Sequence, residues 1–205
     1  MLELDAHRYG LQQTTGPAAV AVSLSDAKNW LRVTNSDDDT LIAALVERAT
    51  QFVENETRRQ LINATWVMKL DTFPHGSFID FPVSPLVSVT SIEYLDGDGA
   101  SQTLPSFFPP VYGVDTTQGP GRIFLKSGQE WPSTLDEANA VTVTAVAGYG
   151  TAASDIPAAL VHAVLMLVAH FYEHREAVDP RGGQFGEVPL GVSNLIHQYR
   201  VARAY

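Results

Sequence analysis

The stretch Leu41-Ile42-Ala43-Ala44-Leu45-Val46-Glu47-Arg48-Ala49-Thr50-Gln51-Phe52-Val53 decides the reading of the fold. Leu41, Ile42, Leu45, Val46, Ala49, Phe52 and Val53 recur at three- and four-residue intervals, with Glu47, Arg48, Glu54 and Arg58 on other sides. That spacing is helical, and it predicts a helix of roughly five turns running to about Arg59. Upstream, Asn35-Ser36-Asp37-Asp38-Asp39 places carboxylates where they cap the helix and complement the positive end of its dipole. Further back, Ser23-Leu24-Ser25-Asp26 has the capping-box spacing, and Ala27, Trp30 and Leu31 share a face of a short helix ending near Val33. Residues 1–22 lack sustained periodicity and contain Gly16-Pro17, so they read as an extended lead-in.

Downstream the period changes. Thr65 to Leu70, Phe78 to Phe81, Val87 to Leu95 and Val141 to Ala147 are rich in β-branched and aromatic residues. Asp96-Gly97-Asp98-Gly99 reads as a hairpin turn whose glycines take positive φ. Prolines at 82, 85, 105, 109, 110, 120 and 132 suit short, edge-rich strands. Helical spacing returns after Asp155-Ile156-Pro157, with Leu160, Val164, Leu167, Val168, Phe171 and Tyr172 on the buried side and an end near Ala177. Asp179-Pro180-Arg181-Gly182-Gly183 then breaks the chain, and residues 193–205 form one more helix with Leu195, Ile196 and Tyr199 together.

The expected fold is therefore α+β. A helical core of long antiparallel helices (residues 23–64 plus 151–178) carries an inserted small β-sandwich or barrel-like unit (residues 65–150) and a C-terminal arm (residues 179–205), behind the lead-in of residues 1–22. There is no internal repeat.

Composition narrows the function classes. The 205 residues are 45% hydrophobic and 18% charged, which is the composition of a folded chain. The absence of cysteine excludes disulfides, thiolate metal sites and a thiol nucleophile. The N-terminus has no signal-peptide pattern, and no apolar run approaches the ~20 residues that span a bilayer. Twenty-three acidic against 13 basic residues give a net charge of −10, which argues against binding a phosphate backbone over a broad face. Residues 177–205 hold Arg181, Arg200 and Arg203 against Asp179 and Glu187, so a weakly basic arm follows an acidic body.

Chemistry has one candidate. His170-Phe171-Tyr172-Glu173-His174 has the H-x-x-E-H spacing of inverted zinc peptidases, in which two imidazoles one helical turn apart meet one zinc and Glu173 polarises water. A third protein ligand would have to come from Glu176, Asp179 or Glu187. The competing reading is the polar end of an amphipathic helix, and a lone short motif favours it. Asp37-Asp38-Asp39 lacks the ligand spacing of a calcium loop, and Gly119-Pro120-Gly121 and Gly148-Tyr149-Gly150 sit in or beside strands rather than before a helix. No catalytic, metal or cofactor residues are assigned. The Arg58-Arg59 doublet reads as a complement to a helix C-terminus.

Four passages, in this order, resemble the head-to-tail connector (adaptor) family of long-tailed bacteriophages and gene transfer agents. They are residues 24–33; Asp38-Asp39-Thr40-Leu41-Ile42 leading through Ala49 and Val53-Glu54 to Thr57-Arg58-Arg59-Gln60-Leu61; Ile156-Pro157-Ala158-Ala159-Leu160 leading to residues 172–176; and Pro189-Leu190-Gly191-Val192 with Leu195 and Tyr199-Arg200. Gly121-Arg122-Ile123-Phe124-Leu125 with Trp131-Pro132 resembles the β insertion of longer members. The resemblance implies a structural virion or particle protein with no catalysis or cofactor, forming a ring, twelvefold by family inheritance, below the portal protein. Its other partner would be a head-completion or stopper protein, and DNA would pass the lumen without specific binding. It implies a place in the particle neck after assembly in the bacterial cytoplasm, with no membrane. It also implies portal docking through Leu190, Leu195, Ile196, Tyr199, Arg200, Arg203 and Tyr205. The alternatives are a small zinc hydrolase using the histidine helix and another tail or baseplate subunit.

Overall fold

The structure is a computed structural model and describes residues 9–107, 109–174 and 190–201. Among them the chain is mixed α and β, with four α-helices and two antiparallel sheets. It divides into two compact units: one contains residues 9–17 and 63–149, the other residues 18–62 and 150–201.

In the β unit, β1 (Tyr9–Thr15), β2 (Ala64–Leu70), β4 (Leu86–Leu95), β5 (Ser101–Thr103) and β8 (Val141–Ala147) form one sheet in the order β1-β2-β8-β4-β5. The second sheet has the order β3-β7-β6, from β3 (Phe78–Phe81), β6 (Tyr112–Asp115) and β7 (Gly121–Leu125). β8 shows why the alternation of the sequence matters: Val141, Val143, Ala145 and Ala147 are buried while Thr142, Thr144 and Val146 are half-buried. Both sheets contribute to one core, where Met68, Ile92 and Val143 meet Phe81, Tyr112 and Ile123. Trp131 closes it, stacked on Phe73 at 4.9 Å, with its indole N–H donated to the Gly76 carbonyl at 2.9 Å.

Within the lead-in expected over residues 1–22, residues 9–15 belong to the fold, because β1 pairs with β2 from Tyr9↔Leu70 to Thr15↔Thr65. All seven of its residues are exposed, so it has no buried side to imprint a period on the sequence. Hydrogen bonding to the edge of β2 makes it a strand. The hairpin at Asp96 forms as read, with one difference: only Gly99 takes positive φ, at 80°. The Asp96 carboxylate accepts from Gln102 Nε2 at 2.8 Å and from the Ala100 and Asp98 amides at 2.9 and 3.1 Å. These bonds hold its carboxyl below the usual range, the Gln102 bond most of all.

In the helical unit, α1 (Leu24–Leu31) starts at Ser23, whose hydroxyl oxygen accepts the Asp26 amide at 3.1 Å. Asp26 returns its bond to the Ser23 hydroxyl, at 2.6 Å, rather than to the backbone as the capping-box reading expected. α2 (Asp39–Thr57) buries Ile42, Leu45, Val46, Ala49 and Val53. α3 (Ala158–Glu173) buries Leu160, Ala163, Val164, Leu167 and Val168. It ends at Glu173, with His174 off helical backbone at φ −113° and ψ 78°, short of the expected end near Ala177, a residue outside the described ones. α4 (Leu190–His197) is shorter and earlier than the helix read over residues 193–205.

Candidate functional site

The C-terminal segment, residues 190–201, is the described part of the expected docking arm. It is seated on the end of α2. Val192 and Ile196 are buried, and the Val201 amide donates to the Thr57 carbonyl at 3.0 Å. Arg59 reaches across the sequence to donate its Nε–H to the Tyr199 carbonyl at 2.6 Å. Arg200 donates its Nε–H to the Glu56 carbonyl at 3.0 Å and forms an ion pair with the Glu56 carboxylate.

The seven residues named for docking thus divide. Ile196 faces inward, Leu195 and Tyr199 are half-buried, and Arg200 is exposed but paired. Leu190, 82% exposed, points outward. Arg203 and Tyr205 lie outside the described residues. The seat itself, made by Glu56, Thr57 and Arg59, was not assigned from sequence; its signal was the Arg58-Arg59 doublet, read instead as a dipole complement. Arg58 in fact caps α2 with positive φ (57°), and Arg59 grips the arm.

Glu54 holds this corner from beneath. Its carboxylate accepts from Gln60 Nε2 at 2.7 Å and from the Leu61 amide at 2.9 Å. Burial pushes its carboxyl above the ordinary range, with the Leu61 bond opposing that rise.

The acidic run at residues 37–39 has structural partners. Lys28 pairs with Asp39 at 2.5 Å, the Tyr172 hydroxyl donates to Asp38 at 2.5 Å, and Asn35 donates to Asp37 at 3.0 Å. Asp38 occupies the cap position of α2 without a side-chain capping bond, so its carboxylate serves the α3 contact instead of the expected cap. Nearby, the Arg48 guanidinium lies 4.1 Å over the Phe171 ring.

His170 and His174 sit ring to ring, 4.8 Å between centroids, as one helical turn dictates. Among the described residues no group of three or more histidine, aspartate or glutamate side chains is arranged to hold a metal ion. The third ligands considered from sequence, Glu176, Asp179 and Glu187, lie outside the described residues. No described helix is long and apolar enough to cross a membrane.

Comparison with known proteins now bears on this arrangement. Residues 21–92 match the phage gp6-like head-tail connector family. That span holds the first two passages that carried the resemblance, so the connector reading of the sequence is borne out there. No curated protein matches the sequence closely enough to serve as a relative.

Solved structures extend the likeness to nearly the whole chain. A chain from the neck of an empty gene transfer agent (GTA) particle, computed with C6 symmetry, superposes with a TM-score of 0.79 at 22% identity, covering 96% of this chain and 97% of that one. A chain from the virion of a native GTA particle gives 0.77 at 23% identity, over 95% and 97%. A chain from the neck of a native GTA particle, computed with C12 symmetry, gives 0.76 at 21% identity, over 96% and 97%. The fold of this chain is therefore the fold of those particle chains over nearly its whole length.

Proposed function

We propose that this chain is a structural, non-enzymatic head-tail connector, assembled as a ring of copies in the neck of a phage or phage-like particle. The observation that carries the reading is the shared fold over 96% of the chain with a chain of the GTA neck, joined to the family match at residues 21–92. The C6 and C12 symmetry of the matched necks supports a ring, with twelve copies as its number. A net charge of −10 suits a channel wall that repels DNA and lets it slide.

The portal and a head-completion protein are the partners on either side, and the C-terminal arm is the portal-docking element. Within it Leu190 is the anchor to test, being exposed and apolar. Removing residues 179–205 would also strip the cover that Val192 and Ile196 give the helical unit, so a point substitution separates docking from folding. Leu190→Asp, in the purified chain mixed with its portal, is expected to abolish co-sedimentation while the far-UV spectrum stays unchanged. Wild-type docking by that variant removes the anchoring role from Leu190, and failure of the wild-type chain to bind a portal removes the connector reading. The hydrolase alternative is tested by elemental analysis of protein purified without added metal. Substoichiometric zinc is expected, and stoichiometric zinc lost in a His170→Ala/His174→Ala variant would reinstate it.

A further inference from the structure

α3 has two apolar sides. One, formed by Leu160, Ala163, Val164, Leu167 and Val168, is buried in the helical unit. At about 100° per residue, Ala158, His162, Leu165 and Ala169 line the opposite side, with Val161 between the two. Ala158 and His162 are exposed there, and Val161, Leu165 and Ala169 are half-buried. A helix facing water on that side is expected to be charged or strongly polar, as α2 is with Glu47, Arg48, Gln51 and Asn55. Between Ala158 and Ala169 this stripe carries no carboxylate, lysine or arginine; exposed Glu173 closes it at the C-terminal end of the helix.

The patch continues onto α1. Trp30, 45% exposed, stands edge-on to His162 with ring centroids 5.3 Å apart. An exposed tryptophan beside an uncharged apolar stripe has the composition of an interface centre, where aromatic residues gather and charged ones are depleted.

We infer that the Trp30, His162 and Leu165 face of the helical unit is a lateral contact between neighbouring copies of this chain. The inference rests on the ring reading above. A closed ring needs a heterologous contact that every copy repeats. Copies that each carry −10 repel, so the surface that brings them together is expected to be poor in charge, and from Trp30 across His162 to Leu165 this face carries no carboxylate, with Asp26 and Glu173 at its margins.

The test replaces Trp30 by a photo-reactive aromatic of similar size, Trp30→p-benzoylphenylalanine, in chain assembled into particles and then irradiated. The expected product has twice the 22.3 kDa mass of the chain and yields peptides of this chain alone. Cross-linking to a different protein, or none in particles that contain the chain, overturns the inference and leaves the connector reading standing. Absence of the chain from particles overturns both. The same replacement at exposed His162 gives an independent reading should the Trp30 variant fail to fold. At Phe107, 88% exposed in the β unit, it is expected to give no self-product; a self-product there with none from Trp30 or His162 overturns the assignment.

Discussion

Ile196→Ala tests how the C-terminal segment is held. Ile196 is 5% exposed and, with Val192, supplies the segment's buried apolar anchor. The substitution removes three carbons, about 2.4 kcal/mol at ~0.8 kcal/mol per buried methylene, and incomplete closure of the space left adds to that. The polar links from Arg59 to Tyr199, Arg200 to Glu56 and Val201 to Thr57 remain, so the loss is expected to appear as local opening of residues 190–201. An opening made easier by about 2.5 kcal/mol raises exchange of the protected amide roughly sixtyfold. The reporter is the Val201 amide, whose acceptor is the Thr57 carbonyl at 3.0 Å. Native-state hydrogen exchange is expected to show that rise at Val201 with little change at the amides of α2 and α3. Equal acceleration of α2, α3 and Val201 would refute the reasoning, since the segment would then unfold only with the whole helical unit. An unchanged Val201 would refute it as well.

Other expected outcomes follow from single residues. Gly148→Ala should destabilise the β unit by about 2–4 kcal/mol in urea unfolding, because strain and overpacking act together. Gly148 has φ 147°, and an added Cβ would lie 2.5 Å from the Asn63 backbone nitrogen. A loss under about 0.5 kcal/mol, the range of a surface change, would contradict this. Glu54 has a raised carboxyl pKa in the folded chain, so the folded state holds its proton more tightly than the unfolded one. Its contribution is full below the ordinary value of 4.5 and is lost as pH rises through the raised value. Urea unfolding of Glu54→Gln across pH 5 to 8 should therefore show wild type losing stability relative to the variant as pH rises; a parallel pair of profiles would count against it. Asp96→Ala should loosen the β4–β5 hairpin, seen as faster exchange of the Ala100 amide. Because the Asp96 carboxyl lies below its ordinary range, its support is present above the unfolded pKa and is lost as pH falls through the folded one.

Legibility in the sequence followed how local the cause of each structure was. α2 and α3 were readable because one helix face imposes its own period: Ile42, Leu45, Val46, Ala49 and Val53, then Leu160, Val164, Leu167 and Val168, are the buried positions in both readings. Leu41, Phe52 and Tyr172 are only half-buried, since they lie at the margin of those stripes, and Phe171 is half-buried in the last turn of α3. β2, β3, β4 and β8 were legible from alternation and β-branched content. β5 and β6 have three and four residues, too few to show a period, and β7 was legible only through the resemblance.

The sequence by itself determined the class and the exclusions. Without cysteine, with −10 net charge and with helical periods flanking a β-rich stretch, it specified a folded, acidic α and β chain, and the order of its motifs pointed to connectors. Only the tertiary structure decided which of the arm's residues face in and which face out. Ile196 and Leu190 are both apolar residues of one short helix, and nothing local distinguishes them. Arg59 and Tyr199 are 140 residues apart, and their bond exists only because α2 ends where the chain returns. The same holds for α3, whose composition announces burial but whose second apolar side becomes visible only once its own core has claimed the first.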